Sequence, residues 1–422
     1  MTASTASAHK STLSARERTT VFALVGAGHT MSHMYILTLP PLFALIKADL
    51  GVSYAALGLL ATMFHVATGA MQVPAGILVD RFGARSMLII GMLLCSLSMA
   101  AVGAVEAYWL MVALTTAAGV GNSVFHPADY AILAASVDDK HLGKAFSFHL
   151  MAGNLGFAAA PVSMVALAAL WDWRAAVIAI GALGVVVGVC MLLFGRNLRV
   201  GDLGSGGCDN PRRVESKPSN GAHTPSLASP AMLVMLAFFV LIALATSGIN
   251  TFSVTLLNTL FATDLGTANT ALTIYLSAGF FGIAAGGVLA DKLRRPAAVV
   301  IVSMLVAVLA ISVVGAMALP AFALFAAMAI GGAATGVMRP ARDMMVNAIA
   351  PPGATGKAFG FVGTGLSAGG AIAPVTFGWM IDIGAGAWVF ALIVAFLLMG
   401  IVTAVVVEQM TRSRAATQAI AS

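Results

Sequence analysis

Twelve apolar stretches run the length of this 422-residue chain. Each comes close to or exceeds the roughly 20 residues a helix needs to cross the hydrocarbon core of a bilayer. They lie at residues 20–46, 54–79, 86–105, 107–137, 143–170, 174–195, 230–261, 269–290, 297–318, 320–349, 355–381 and 386–407, separated by charges, Pro/Gly clusters or polar turns. Hydrocarbon offers a backbone amide no partner, so each crossing segment must satisfy its own amides. The segments are too long for barrel strands and are therefore helices. The expected fold is an all-α polytopic membrane protein. Composition agrees: 9% of residues are charged (22 Lys+Arg, 16 Asp+Glu), against about a quarter in a soluble domain. That deficit excludes a soluble enzyme.

The cations are sorted by side. With connections counted alternately from the N-terminus, eighteen Lys and Arg fall on the side of the termini and two, Lys47 and Arg174, on the other. Lys and Arg accumulate on the cytoplasmic side, so both termini are expected there, with the chain in the inner (plasma) membrane. The net charge of +6 is thus a topology signal, and no nucleic-acid partner is expected. Residues 1–19 read as a basic cytoplasmic tail, 410–422 as a second tail, and no cleaved signal is expected. The Gly-, Ser-, Pro- and Asn-rich stretch 196–229 reads as a flexible cytoplasmic linker. It divides the chain into six-helix bundles at 20–195 and 230–409. Cys95, Cys190 and Cys208 are too scattered for a disulfide frame or a metal site.

The halves repeat each other at an offset of 213 residues: His126-Pro127-Ala128 aligns with Arg339-Pro340-Ala341, Gly143-Lys144-Ala145-Phe146 with Gly356-Lys357-Ala358-Phe359, and Ala160-Pro161 with Ala373-Pro374. Three matches in one ungapped register argue for duplication of a six-helix unit with parallel halves. The glycine-rich runs GGAATG (331–336) and GTGLSAGG (363–370) lie inside apolar helices rather than after strands. They are therefore read as close-packing faces and not as phosphate loops.

A further pair follows the second and eighth spans: GILVDRFGARS (76–86) and GVLADKLRR (287–295), each Gly, three residues, Asp, then a cation. This pattern is similar to the cytoplasmic loop signature of the major facilitator superfamily, and twelve spans with a long central loop resemble that superfamily over nearly the whole chain. Within it, residues 32–60 (SHMYILTLPPLFALIKADLGVSYAALGLL) and 119–131 (GVGNSVFHPADYA) resemble the fosmidomycin-resistance type of exporter. The resemblance implies two pseudo-symmetric six-helix bundles that carry a small solute by alternating access, with the first, fourth, seventh and tenth helices lining a central cavity.

Asp80 and Asp291 end even-numbered spans on the cytoplasmic side. A carboxylate at a helix N-terminus is favoured by up to about 2 kcal/mol when partly buried. Asp80 is expected to cap the start of the eleventh helix near Gly353–Lys357, and Asp291 that of the fifth near Asp139–Lys144, closing the inner side until the protein opens inward. Arg81 and Arg85 accompany this gate, or simply fix topology.

Ionisable groups in hydrocarbon cost about 2.5–3.5 kcal/mol each and so face a partner or water. Those within the spans are His29, His33, His65, His126, Asp129, His149, Arg339, Arg342 and Asp343. His29 and His33 are four apart and His126 and Asp129 three apart, so each pair shares a helical face. Arg339 and His33, with His29, His126, Asn154, Asn250 and Tyr275, are expected to hold substrate. The excess of cationic over anionic groups favours an organic anion, a carboxylate or phosphonate. Asp129 with His126 is expected to carry a coupling proton, since histidine titrates near neutrality and a carboxyl can follow it when withheld from water. For Arg339 the alternative is a structural ion pair with Asp343 or Asp129; Arg342 and Asp343 are expected in a gating salt bridge or in substrate contact, Asn258 is a further candidate for the wall, and His65 and His149 read as packing. The expected partners are a small-molecule substrate, a proton and the lipid bilayer, with no cofactor, and the expected state is a monomer.

Two departures from the superfamily's drug antiporters leave direction open. The fourth helix lacks their common Arg, and GNLGFAAAP (153–161) stands where they have GxxxGPxxGG. Proton-coupled uptake of an organic anion therefore stands beside efflux of a fosmidomycin-like compound. Outside transport, a membrane-embedded metalloenzyme would use the HxxxH spacing of His29 and His33, but no carboxylate or third histidine is near them in sequence, and no metal site is expected. A passive channel or a receptor is the other class.

Overall fold

A computed structural model describes residues 13–137, 141–198, 229–293, 295–351 and 355–421. The first bundle comprises α1 (Ala15–Ile36), a short α2 (Phe43–Leu50), α3 (Tyr54–Phe82), α4 (Ala84–Ala104), α5 (Tyr108–Asn122), α6 (Phe125–Ser136), α7 (Leu142–Leu170) and α8 (Trp173–Phe194). The second comprises α9 (Pro230–Phe261), α10 (Leu265–Leu293), α11 (Pro296–Ala316), α12 (Ala321–Ile349), α13 (Thr355–Asp382) and α14 (Gly386–Ala421). The fold is all-α, twelve membrane-crossing helices in two pseudo-symmetric bundles, with α5 and α6 together making the fourth crossing. Eleven of these, among the described residues, are long and apolar enough to cross a membrane. α1 makes the twelfth, its hydropathy diluted by His29, Ser32 and His33. Apolar side chains such as Val73, Trp109 and Phe322 face outward, as suits contact with lipid rather than water.

Three elements depart from the expected limits, each for a local reason. α1 starts at Ala15, five residues before the first predicted span, because Ser14 and Glu17 form a capping box. It stops at Ile36 instead of running to 46, since Pro40 and Pro41 lack amide donors, and a 3-10 turn and α2 take up the rest. The fourth crossing breaks at Ser123–Val124. Pro127 removes the amide that would bond Ser123 and crowds that carbonyl, so the helix restarts at Phe125. Its repeat mate Pro340 sits within an unbroken α12. α14 continues through the predicted C-terminal tail to Ala421. The predicted linker falls almost wholly outside the described residues.

The two bundles meet chiefly along α3 against α13 and α7 against α10. With α1 entering from the face that carries both termini, α3 begins and α13 ends at the opposite, far face. There Asp382 accepts hydrogen bonds from the amides of Tyr54 (2.8 Å) and Ala55 (2.8 Å), the first residues of α3. Deeper in, Thr62 Oγ1 donates to the Ala371 carbonyl at 2.7 Å. A Cβ at Gly58 would meet the Pro374 carbonyl at 2.1 Å, so this approach of α3 to α13 requires glycine. Toward the terminal face a Cβ at Gly360 or Gly363 of α13 would meet nothing within 4 Å, and Asp80 at the end of α3 is exposed. The two bundles are thus joined at the far face. The GGAATG run behaves as a close-packing face, with Gly332 of α12 set against the Tyr275 carbonyl of α10.

Candidate functional site

Three helices of the first bundle converge on a buried histidine cluster. α7 lies close against α1, its Ala152 carbonyl accepting from Thr30 Oγ1 at 3.0 Å. A Cβ at Gly153 would lie 2.9 Å from His33 Nε2 and 3.0 Å from His29 Nε2, so only glycine leaves room for both imidazoles. His29 stacks on His149 of α7 with ring centroids 3.5 Å apart, while His33 lies at 4.5 Å and His126 of α6 at 5.3 Å. Asp129, one helical turn after His126, places Oδ2 3.3 Å from His29 Nδ1 and 3.7 Å from His149 Nδ1. His29, Asp129 and His149 are fully buried. Nearby, Ser32 Oγ donates to Asn122 Oδ1 at 2.7 Å, holding α1 to α5.

From this cluster a short polar line leads across to the second bundle. Beside Gly153, Asn154 donates Nδ2 to the Leu150 carbonyl (2.8 Å) and offers its Oδ1 to Arg339 Nη1 of α12 at 3.4 Å. Phe157, whose ring lies 4.5 Å from that of His33, also lines a cavity of about 140 Å³. Ile36, Leu37 and His65 line it from the first bundle, and Thr246, Ser247, Asn250 and Leu366 from the second. Asn250 Oδ1 is buried without a hydrogen-bond partner. The site therefore combines a permanent cation, neutral amides, imidazoles and one carboxylate at the junction of two bundles.

Of the residues expected at a substrate site, His29, His33, His126, Asn154 and Arg339 are brought together, and Asn250 lines the adjoining cavity. Tyr275 stands within electrostatic reach of Arg339 and also has a protein partner. Its hydroxyl accepts from Thr335 Oγ1 at 3.2 Å, and it is buried between α10 and α12. Asn258 is engaged elsewhere, donating to the Thr263 carbonyl at 3.0 Å beyond the end of α9. Arg342 pairs with its neighbour Asp343 (Nε to Oδ1, 2.9 Å) and lies over the Phe239 ring of α9 at 4.3 Å. Arg85 donates to the carbonyls of Gly195 (2.8 Å) and Leu192 (2.9 Å), tying α4 to the end of α8 within one bundle. Arg81 is exposed beside Phe82. The Asp291 side chain and residues 138–140 and 352–354, where the two latches were expected, lie outside the described residues.

His149 and His65, read from sequence as packing, stand respectively in the cluster and at the cavity. The fold also supplies from α6 and α7 the carboxylate and third histidine that the HxxxH spacing lacks in sequence. Gly153 and Asp382 were not singled out. The signal available for Asp382 was a carboxylate ending the eleventh span at a turn, the mirror of Asp80 ending the second.

The sequence profile of the Major Facilitator Superfamily matches residues 19–259 and 235–419. The chain is 31% identical over 152 residues to the "Probable L-galactonate transporter" of Escherichia coli K12, covering 36% of this chain and 34% of that protein. It is 26% identical over 258 residues to the "Membrane sensor protein UhpC" of the same organism, covering 59% of each. It is 24% identical over 339 residues to the "Multidrug resistance protein MdtH" of Salmonella newport, 78% of this chain and 80% of that one. The chain thus spans about a third and three fifths of the first two relatives. Among solved structures, a bacterial homolog of the human lysosomal transporter Spinster, in an inward-facing and unoccupied conformation, superposes with a TM-score of 0.76 at 15% identity, covering 95% of this chain and 98% of that one.

Proposed function

Because the chain belongs to the major facilitator superfamily, and is thus a multi-pass membrane transporter and not an enzyme, we propose that it is a secondary active transporter of a small organic anion, a carboxylate or phosphonate, coupled to protons. Arg339 carries this reading. A guanidinium does not shed its charge at accessible pH. Arg339 sits between the bundles and hydrogen-bonds a neutral amide, Asn154; among the described residues it makes no ion pair, and the Asp343 carboxylate acts on it only from beyond ion-pair distance while paired with Arg342. A permanent cation so placed favours an anionic ligand. In this reading Arg339, Asn154 and His33 hold the anionic group, Asn250 contacts the remainder from the adjoining cavity, and His29, buried behind His33, orients it. Asp129 with His126 carries the coupling proton, and the chain acts as a monomer.

The Lys/Arg distribution supports placing both termini in the cytoplasm of a cell with this protein in its inner membrane. The face joined by Asp382 is then the outer one, and the conformation faces inward. Asp80 and Asp291 latch the opposite conformation, with Arg81 beside them. Efflux of a fosmidomycin-like phosphonate is the first reading, supported by the resemblance of residues 32–60 and 119–131. Uptake is the second, favoured by the match to a transporter named for L-galactonate, itself a carboxylate.

Proteoliposomes tested against carboxylates, phosphonates and cationic drugs, with and without an imposed pH gradient, decide the matter. Gradient-driven accumulation of an anion, on either side, is expected. Movement of cations alone overturns the substrate class, and equilibration without accumulation overturns the coupling in favour of a passive pore.

A further inference from the structure

We propose that His29, His126 and His149, with the Asp129 carboxylate beside two of them, form a binding site for one divalent transition-metal ion of the zinc, cobalt or nickel type. One nitrogen from each imidazole can be chosen so that the three lie within 4.8 Å of one another. The Asp129 carboxylate is 3.3 Å from His29 and 3.7 Å from His149. The polar atoms of this group are left over: both nitrogens of His29 and of His149 and both oxygens of Asp129 are buried without a hydrogen-bond partner in the protein. Buried polar atoms are nearly always partnered, and a cluster of exceptions calls for an explanation. Each neutral imidazole presents one lone pair, and a carboxylate only accepts. The group therefore holds more acceptors than donors, and a cation satisfies them together.

The donor set selects the cation. Three imidazole nitrogens, with the fourth position open to Asp129 or to water, suit zinc, cobalt and nickel, whereas calcium and magnesium require oxygen-rich shells. A tetrahedral ion at about 2.0–2.1 Å from each donor sets the donors about 3.4 Å apart, so binding draws the imidazoles inward and unstacks His29 from His149. α1, α6 and α7 would then be tied at one point. His126, the member that keeps some exposure, is the side from which an ion enters. Asp129 and His126 are also the pair proposed above for the coupling proton, and the same lone pairs accept either cation, so the two compete. Metal binding itself needs neither gradient nor substrate, and its failure would leave the transport reading standing.

The test is titration of Co²⁺ into the purified, untagged full chain in detergent, read by visible absorption and by bound metal per chain after dialysis. One ion per chain is expected, with the intense bands of four-coordinate cobalt and a raised melting temperature. His149→Gln and, separately, His126→Gln should each weaken binding tenfold or more, while His65→Gln should not. Monodisperse elution of each variant shows that it is folded, and two variants guard against the loss of either. Binding below one ion per chain, a weak six-coordinate spectrum, or affinity retained in both cluster variants would overturn the proposal.

Discussion

Asp382→Ala removes the carboxylate that holds the start of α3 to the end of α13. The two hydrogen bonds it accepts, from Tyr54 and Ala55 at 2.8 Å each, are charge-assisted. Such bonds contribute about 1.5–3 kcal/mol each when buried. Asp382 is exposed, so water competes and each falls toward the 0.2–1 kcal/mol of exposed ion pairs. Its position at the N-terminus of α3 adds about 0.3–1 kcal/mol. The sum runs from about 0.7 to 3 kcal/mol, with about 1–2 kcal/mol at its middle. If the contact forms only with the far face shut, its loss shifts the conformational equilibrium about 5–30-fold toward opening there, at about 1.4 kcal/mol per tenfold. The readout is alkylation of Ser247→Cys, a residue lining the central cavity, in a chain whose own cysteines are replaced. A membrane-impermeant maleimide applied from the far face should react faster by that factor, with Asp382→Asn, which keeps one acceptor, in between. A rate changed by less than twofold in Asp382→Ala would show that the cap does not gate.

Gly153→Leu places a side chain where His33 and His29 stand about 3 Å from any Cβ, and should reduce transport more than tenfold while membrane insertion, followed by fluorescence-detected size exclusion, is kept. Gly153→Ala should lie between the two, and full transport in the leucine variant would detach α7 from the site. Asp80→Asn should abolish transport without affecting insertion, because the latch proposed for the opposite conformation is weakened and the conformation described here is spared. Wild-type uptake in that variant would leave Asp80 a topology determinant only.

The spans were legible because a 20-residue apolar run has few alternatives, and the repeat because duplication preserved one tetrapeptide and two dipeptides in one register. Breaks within the runs were less so. Pro127 and Pro340 are equivalent in sequence, yet only the first interrupts its helix, a choice made by the packing around it. At the site, His29 and His33, and His126 and Asp129, could be paired by helical spacing. His149 could not, since its partners lie on α1 and α6 and only the glycine at 153 lets α7 approach them. Tyr275 shows the converse. A polar residue in an apolar helix suggests a cavity wall, but its hydrogen bond to Thr335 on the neighbouring helix, with Arg339 close by, exists only once α10 and α12 are packed. For Asp382 the sequence signals a carboxylate at a turn, but its partners, the first amides of α3, lie across the junction between the bundles.

In the proposed reading Arg339 holds the charge of an anionic solute between the bundles. Equilibrium counterflow in proteoliposomes, which needs no gradient and so isolates binding and reorientation from coupling, measures it for the best anion of the panel. Arg339→Ala should lower exchange at least tenfold and Arg339→Lys by less, with insertion unchanged in both. Undiminished anion exchange in Arg339→Ala would contradict the account.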